Sequence, residues 1–331
     1  MIENNLKNRF QTFKKNFKEK IYGKQWEQDK KNFDIDFIDG EFINLGKWNF
    51  LPSLYKNQFN DDELLNIDDA SNLKIISLGS KKLCLQKEIG NKTLIYAKNY
   101  FELLELFIKK EGIVCEIGSG SGLFSALINE KKNTINILVD IPNVLLTAIA
   151  LYFTLFPNKK FLLPNEIYNE EKLNFKNYDF IFLTPEQINL IPNESLDLGI
   201  NTQSFMEMDE SEVDHYLKFF NSKTKYDGYF FCSNRLRKRH YFFNYKFNFL
   251  KDFKLVFLEK DKIFYKNKSL AAMLNLLLIK KKERNQKDIK FNIVDKVKGI
   301  FYFKSNEFFY WLKKDIKKCI VYILKKIKLK K

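Results

Sequence analysis

The sequence predicts an α/β fold with a mainly parallel sheet, because short apolar runs alternate with helical segments between residues 111 and 280. A glycine-rich turn follows the first apolar run, and acidic residues lie at the ends of the first two runs. Together these observations are typical of a sheet with helices on both faces. We expect three parts: a leader at 1–110, the α/β domain at 111–280, and a tail at 281–331.

The elements of the α/β domain follow from its pattern of apolar residues. Helices are predicted at 122–129, 143–156 and 210–220. An antiparallel hairpin of strands 254–258 and 271–279 is expected to close the sheet. The third strand has a competitor at 160–163. The predicted parallel strands, in chain order, are 113–117, 135–140, 178–183, 196–201 and 228–233.

The leader begins with an amphipathic pattern. Leu6, Phe10, Phe13, Phe17 and Ile21 recur at helical spacing, which predicts one apolar helix face. Two strand-like runs follow at 74–78 and 82–85, and a helix is predicted at 96–110. We expect this leader to form a cap over the substrate side of the α/β domain.

The tail carries most of the positive charge. The whole chain has a formal net charge of +16, and residues 281–331 contain 17 Lys and Arg against 5 Asp and Glu. Apolar residues recur at helical spacing in this tail, and lysines occupy the positions between them. The apolar positions are Phe309, Leu312, Ile316, Ile320, Ile323 and Ile327.

The cysteine content and the N-terminal sequence indicate the cellular compartment. The four cysteines, at 84, 115, 232 and 319, lack the spacing of a zinc site or of a disulfide framework. Cys115 lies in a predicted core strand, which favours a reducing environment. The first 20 residues are charged throughout and lack the pattern of a signal peptide. We therefore expect a cytoplasmic protein.

The turn after the first strand reads EIGSGSG, residues 116–122. A dinucleotide fingerprint, G-x-G-x-x-G, would need its third glycine at position 123, which is Leu123. The glycines lie instead at 118, 120 and 122, behind Glu116. This segment resembles the cofactor loop of class I S-adenosylmethionine-dependent methyltransferases, a family with a Rossmann-like fold.

The resemblance implies a set of cofactor contacts. Gly118, Gly120 and Gly122 would let the backbone pass close to the methionine part of S-adenosylmethionine, and Glu116 would accept a hydrogen bond from its ammonium group. Asp140 ends the second strand, 22 residues after Gly118, where an acid accepts the two ribose hydroxyls. The remaining predicted cofactor-binding residues are Ile141, Asn201, Thr202 and Gln203.

Downstream segments narrow the resemblance. The chain is similar, over roughly residues 25–280, to a family of sugar O-methyltransferases from bacterial surface-polysaccharide gene clusters. The marks are Asp140-Ile141-Pro142, the segment NTQSFMEM at 201–208, and the segment CSNR at 232–235. The resemblance implies that the acceptor is a hydroxyl group of a sugar or glycan, and that the protein acts in capsule or lipopolysaccharide biosynthesis.

A sugar hydroxyl is a very weak acid, so methyl transfer to it calls for a general base or a metal. Glu207, which follows the fourth strand, and His240, in the basic run after the fifth, are the candidates for the base. The alternative for Glu207 is an acid in the first turn of the next helix, where the helix dipole favours it. His215, within a predicted helix, is interpreted as structural. Asp and Glu show no metal-ligand spacing, so we predict no metal.

Two other functions stay open from the sequence. The basic balance suggests a nucleic-acid methyltransferase, although NTQS stands where a base-reading motif such as N/D-P-P-Y/F would be expected. A methyltransferase fold without activity, serving as a binding module, is the other alternative.

The tail has alternatives of its own. Its lysine-bordered apolar stripe is typical of a helix that lies on an anionic membrane surface. We therefore expect peripheral binding at the inner face of the membrane. A helix packed on the catalytic domain, or a docking site for a partner protein, would show the same pattern.

Overall fold

The computed structural model describes part of the chain. The described residues are 2–16, 36–38, 41–43, 87–168, 172–235, 237–238, 241–242, 250, 252–261 and 273–282. The predicted strands at 74–78 and 82–85, the end of the leader pattern at Phe17 and Ile21, His240, and the whole amphipathic stripe of the tail lie outside these residues.

The described part contains five α-helices and twelve strands. The helices are α1 (Ile2–Asn16), α2 (Lys87–Leu104), α3 (Leu123–Lys132), α4 (Pro142–Leu155) and α5 (Glu210–Lys223). The strands before the main sheet are β1 (Asp36–Ile38) and β2 (Glu41–Ile43). The remaining strands are β3 (Ile113–Ile117), β4 (Ile135–Val139), β5 (Phe161–Leu162), β6 (Phe180–Leu183), β7 (Leu196–Thr202), β8 (Thr224–Arg235), β9 (Arg237–Lys238), β10 (Tyr241–Phe242), β11 (Phe253–Lys260) and β12 (Met273–Lys280).

Eight strands form one sheet in the order β11-β12-β8-β7-β3-β4-β6-β5. The pairs from β8 to β5 are parallel, whereas β12 runs antiparallel to both β8 and β11. This confirms the Rossmann-like α/β sheet and its closing hairpin. Both candidates for the third strand belong to the sheet: β6 pairs with β4, and the two-residue β5 lies outside it at the edge.

Helices cover the sheet on both faces because neighbouring strand residues point to opposite sides. Val114 packs in the core that α2, α3 and α4 form on one face, while Cys115 packs with α5 on the other. The all-round apolarity of α4 follows from its depth, since twelve of its fourteen residues are buried. Each strand thus contributes to two apolar cores.

Two predicted boundaries are corrected by the structure. The helix expected at 96–110 begins earlier, at Lys87, and ends at Leu104. There the carbonyl of Leu104 accepts from the N–H groups of both Phe107 and Ile108, which closes the helix in a turn. The strand expected at 228–233 extends over Thr224–Arg235, and its residues 229–235 pair with β12.

The first helix of the leader packs on the domain beside the edge strand. Phe10 and Phe13 are fully buried, as their predicted place on one helix face requires. The guanidinium of Arg9 donates to both carboxylate oxygens of Glu166, at 2.5 and 2.8 Å, and to the carbonyl of Phe161 at 2.9 Å. Helix α1 therefore covers β5, which would otherwise be a free sheet edge.

Candidate functional site

The candidate site lies where four parallel strands end. Strand β3 pairs in parallel with β4 on one side and with β7 on the other, so the order in which the chain adds strands to the sheet reverses at β3. Ligands of open α/β sheets bind outside the carboxyl ends of the strands at such a switch point. The residues predicted for the cofactor follow β3, β4 and β7, and the structure brings these three strand ends together.

The glycine turn folds back onto the end of β4. The N–H groups of Gly118 and Ser119 both donate to the carbonyl of Val139, at 2.8 and 3.3 Å, and Gly122 donates to the carbonyl of Ser119 at 2.8 Å. Gly118, Gly120 and Gly122 have φ of 68°, 57° and 74°. All three therefore adopt the left-handed conformation that favours glycine.

Two of these glycines are required by the packing of the protein itself. A Cβ on Gly118 would overlap the hydroxymethyl group of Ser204, and one on Gly122 would lie 2.8 Å from the ring of Tyr152. Tyr152 also donates from its hydroxyl to the carbonyl of Gly122 at 2.6 Å. Close approach of a cofactor is the predicted reason for these glycines, and the packing of Ser204 and Tyr152 gives Gly118 and Gly122 a second reason within the protein.

Glu116 is buried at the base of the turn, with 2 % of its surface exposed. Its Oε2 accepts from Ser125 Oγ at 2.6 Å, and its Oε1 accepts from Thr202 Oγ1 at 3.5 Å. Burial raises the pKa of Glu116 to about 7, and the charge of Asp140 adds to this rise. Because burial disfavours its ionised form, a cation bound next to Glu116 would stabilise the carboxylate.

Asp140 follows β4 and bonds to the turn. Its Oδ2 accepts from the N–H of Gly120 at 2.8 Å, and its Oδ1 accepts from the N–H of Ile141 at 2.8 Å. Burial raises the pKa of Asp140 to about 7 despite these bonds, and the charge of Glu207 raises it further. The acid predicted to hold a ligand thus also ties the glycine turn to the start of α4, where Ile141 is the residue before the helix.

Asn201 is fully buried, and its side-chain amide is used within the protein. Its Nδ2 donates to the carbonyl of Ile117 at 2.8 Å and to Ser204 Oγ at 2.6 Å. Its Oδ1 accepts from the N–H of Phe205 at 3.2 Å and from Asn234 Nδ2 at 2.8 Å. The structure therefore shows Asn201 joining three strand ends, while its predicted contact with a cofactor stays a prediction.

Thr202 and Gln203 are partly exposed beside the turn. Gln203 has φ of 59°, an uncommon conformation for a residue with a side chain. Its N–H donates to the carbonyl of Ser233 at 2.8 Å, and its Nε2 donates to the hydroxyl of Tyr100 at 3.3 Å. Strained residues of this kind gather at binding sites, where surrounding bonds hold them in place.

Tyr100 is a residue of this site that sequence reasoning missed. It lies on α2, is 3 % exposed, and its hydroxyl is 3.1 Å from Ser233 Oγ. Burial and, second, the charge of Asp261 raise the pKa of Tyr100 well above its usual value. The spacing of Tyr96, Tyr100 and Leu104 marks an inward helix face, and all three are buried. That spacing cannot show which strand end the face meets.

The two candidates for the general base have different outcomes. Glu207 lies in the turn after β7, where its N–H donates to the carbonyl of Ser204 at 2.9 Å. Helix α5 begins at Glu210, so the interpretation of Glu207 as an acid in the first helical turn is wrong. His240 is outside the described residues. His215 lies on α5 and is exposed, so it is not part of the core.

Two further features concern ions and membranes. Within the described ranges, His, Cys, Asp and Glu form no group of three that could hold a metal ion. Over the same part of the chain, no helix combines the length and the apolarity needed to cross a bilayer.

The chain is similar in structure to known proteins with which it shares little sequence identity. No family model matches the chain, and no curated protein matches it. Similar solved structures include phosphoethanolamine N-methyltransferase 1 of Haemonchus contortus, at 12% identity and a TM-score of 0.44, with coverage of 62% of this chain and 47% of that one. The chain thus spans about half the length of that protein.

Two more solved structures are similar to the chain at comparable sequence identity. The 1,6-didemethyltoxoflavin-N1-methyltransferase of Burkholderia thailandensis has 13% identity and a TM-score of 0.41, over 56% of this chain and 78% of that one. A SAM-dependent methyltransferase of Methanosarcina mazei has 14% identity and a TM-score of 0.38, over 55% and 98%. With identity and TM-score this low, the likeness carries no argument about the activity of this chain.

The burial of Glu116 leads to a prediction about stability. Its pKa is about 7 in the folded protein against a usual value of 4.5. Between these values the folded state binds more protons than the unfolded state, so this group lowers the free energy of unfolding as pH rises. We expect Glu116→Gln to gain stability over the wild type by about 2–3 kcal/mol more at pH 8 than at pH 5.

Urea unfolding at both pH values measures this difference. Glu111→Gln, at an exposed position before β3, serves as the control for the removal of one surface carboxylate, and the change measured for Glu116→Gln is compared with it. An equal change in stability for Glu116→Gln at pH 5 and pH 8 would contradict the raised pKa.

Proposed function

We propose that the chain is an S-adenosylmethionine-dependent O-methyltransferase that moves a methyl group to a hydroxyl group of a sugar, in a surface glycan or its precursor. One observation carries the cofactor part of this proposal. Glu116, which is buried, and Asp140, which is partly exposed, lie at one glycine turn on the ends of neighbouring strands, and partial or full desolvation raises the pKa of each to about 7. Such a pair is suited to a ligand that carries positive charge.

The residues present fit S-adenosylmethionine. At the base of the turn, Glu116 would accept a hydrogen bond from the ammonium group of the cofactor. Each carboxylate oxygen of Asp140 accepts one backbone N–H and has a further lone pair available for a ribose hydroxyl. The buried hydroxyl of Ser119 has no hydrogen-bond partner among the described residues, and the carboxylate of the cofactor would supply one.

A dinucleotide fits the same turn poorly. A pyrophosphate needs free backbone N–H groups at the helix start, and a carboxylate beside it would repel it. Here the N–H groups of the turn already donate hydrogen bonds to acceptors of the protein itself. These N–H groups are those of Gly118, Ser119, Gly120 and Gly122. Glu116 and Asp140 add negative charge at the turn. The geometry therefore favours a cationic ligand over an anionic one.

The bound cofactor supplies a methyl group on a sulfonium for in-line displacement. What the protein contributes is positioning of the acceptor hydroxyl and removal of its proton. Glu207 is our candidate for the general base, because its charge acts on Asp140 and it lies in the turn that follows β7. His240 is the rival candidate. The choice of a sugar as acceptor rests on the sequence resemblance.

Cofactor binding is expected to depend on pH. The ammonium group pairs with ionised carboxylates, and Glu116 and Asp140 hold protons below about pH 7. Binding therefore lowers their pKa and releases protons, so affinity falls as pH drops. We expect the Kd of S-adenosylhomocysteine to rise roughly tenfold or more from pH 8 to pH 6.

Isothermal titration calorimetry in buffers of different ionisation enthalpy measures both the Kd and the proton release. Methylthioadenosine, which lacks the amino-acid part, is the matched control ligand and should show a weaker pH dependence. A Kd for S-adenosylhomocysteine that is the same at pH 6 and pH 8, or no binding at all, would argue against this site.

The general base is tested by turnover. With labelled S-adenosylmethionine and extracted glycans or nucleotide sugars as acceptors, Glu207→Gln should lower methyl transfer by a factor on the order of 100. The Kd of S-adenosylhomocysteine is compared at pH 8, where Asp140 is mostly ionised, and should there stay nearly the same, because Glu207 is proposed to act on the acceptor. Normal turnover in Glu207→Gln with a large loss in His240→Ala would assign the base to the histidine. An absence of transfer by the wild type, with cofactor binding intact, would favour a binding module.

The tail is proposed to bind the anionic inner face of the membrane, which would keep the enzyme cytoplasmic and close to lipid-linked glycan precursors. Each basic residue near such a surface adds roughly 1 kcal/mol of attraction. We expect the full chain to sediment with liposomes that contain anionic lipid, and a chain ending at Lys290 to stay in solution. Equal sedimentation of both forms, or no preference for anionic over neutral lipid, would refute the proposal.

A further inference from the structure

A buried polar cluster lies beside the candidate site, on the face of the sheet covered by α2. We call Tyr100, Gln203, Ser233 and Asn275 the Tyr100 cluster. Tyr100, Ser233 and Asn275 are each at least 96 % buried, and Gln203 is partly exposed. The proposed roles in cofactor binding and in general-base catalysis do not account for the buried polar side chains of Ser233 and Asn275.

The register of the sheet places these side chains in one row. Thr202 of β7 is the partner of Ser233 in β8, and Ser233 is the partner of Asn275 in β12. Directly opposite residues share a face, and their Cβ atoms lie about 4.5–5.5 Å apart in an antiparallel pair. The row thus starts at Thr202, which bonds to Glu116, and leads away from the cofactor turn to Asn275.

The protons of the cluster can be assigned from the types of group present. The Nε2 of Gln203 is a donor only, so the oxygen of Tyr100 accepts in that bond. The proton of Tyr100 is then available for Ser233 Oγ, which lies 3.1 Å away. Burial and the charge of Asp261 raise the pKa of Tyr100, so it keeps that proton. The hydroxyl proton of Ser233 is left to donate elsewhere.

Asn275 offers the complementary group. Its side chain is 4 % exposed, and its Oδ1 has no hydrogen-bond partner in the part of the chain that the structure describes. A buried acceptor without a donor is costly, so such a group points to a ligand or a bound water. The hydroxyl of Ser233 can therefore donate a hydrogen bond, and the Oδ1 of the neighbouring Asn275 can accept one.

A hydroxyl group, like a water molecule, can accept one hydrogen bond and donate another at the same time. We propose that Ser233 and Asn275 form a subsite for a second hydroxyl group of the acceptor, next to the hydroxyl that is methylated. This inference rests on the proposed function and deepens it, since it selects acceptors with several neighbouring hydroxyl groups. Tyr100 is a positioning residue that fixes Ser233 and Gln203.

The test uses the full chain and acceptors of known structure. Methyl transfer is measured with UDP-glucose, UDP-galactose and GDP-mannose, and with forms of the best acceptor that lack one hydroxyl at a time. We expect the wild type to disfavour one deoxy form by about tenfold or more in kcat/KM, because a buried polar pair is then left unpaired. Asn275→Leu should raise KM for the full sugar about tenfold and abolish that discrimination.

Controls separate a subsite from a structural role. Met273→Leu, on the same strand and face but apolar, should keep both KM and the discrimination. The Kd of S-adenosylhomocysteine should be the same in all variants, which shows that the fold is intact. Should Asn275→Leu fail to fold, Ser233→Ala takes its place, with Ser233→Thr as the variant that restores the hydroxyl and the discrimination.

The outcomes distinguish this inference from the proposed function. Transfer by the wild type with unchanged discrimination in Asn275→Leu would overturn the subsite alone, and a buried water would then satisfy Asn275. No transfer to any sugar, with S-adenosylhomocysteine still bound, would overturn the sugar acceptor and the subsite together. A loss of discrimination in Asn275→Leu, with Met273→Leu normal, supports the subsite.

Discussion

The site depends on one buried amide, the side chain of Asn201, which joins the ends of three neighbouring strands. It donates to the end of β3 at Ile117, accepts from Asn234 on β8, and holds the turn after β7 through Ser204 and Phe205. Ser204 in turn packs so closely on Gly118 that a side chain there has no room. The path of the glycine turn and the position of the turn after β7 are thus set by the same bonds.

The same edge of the sheet carries groups that are unfavourable in the folded protein alone. Glu116 is buried and Asp140 is partly exposed beside it, each carboxyl has a raised pKa, and Gln203 has a left-handed backbone. Hydrogen bonds from Ser125, Thr202, Gly120 and Ile141 offset part of this cost. Binding sites commonly combine such strain with a rigid surrounding, because a ligand then recovers the remaining free energy.

The sequence could predict much of the fold and the cofactor side, because both follow from local patterns. Ile113–Ile117 and Ile135–Val139 form strands as expected, with Glu116 and Asp140 at their ends. Both acids lie within 25 residues of chain and on adjacent strands. The cluster of Tyr100, Ser233 and Asn275 was harder to predict, since these residues are separated by up to 175 positions and share no motif.

The sequence by itself determined the order of strands and helices, the glycine turn and the two acids, because periodicity, glycine spacing and residue type act over short stretches of chain. Only the tertiary structure decided that β12 inserts between β8 and β11, which brings Asn275 opposite Ser233. It also decided that α2 lays Tyr100 over that pair. Strand register and helix packing arise from contacts between distant segments, and no local pattern encodes which distant side chains will meet.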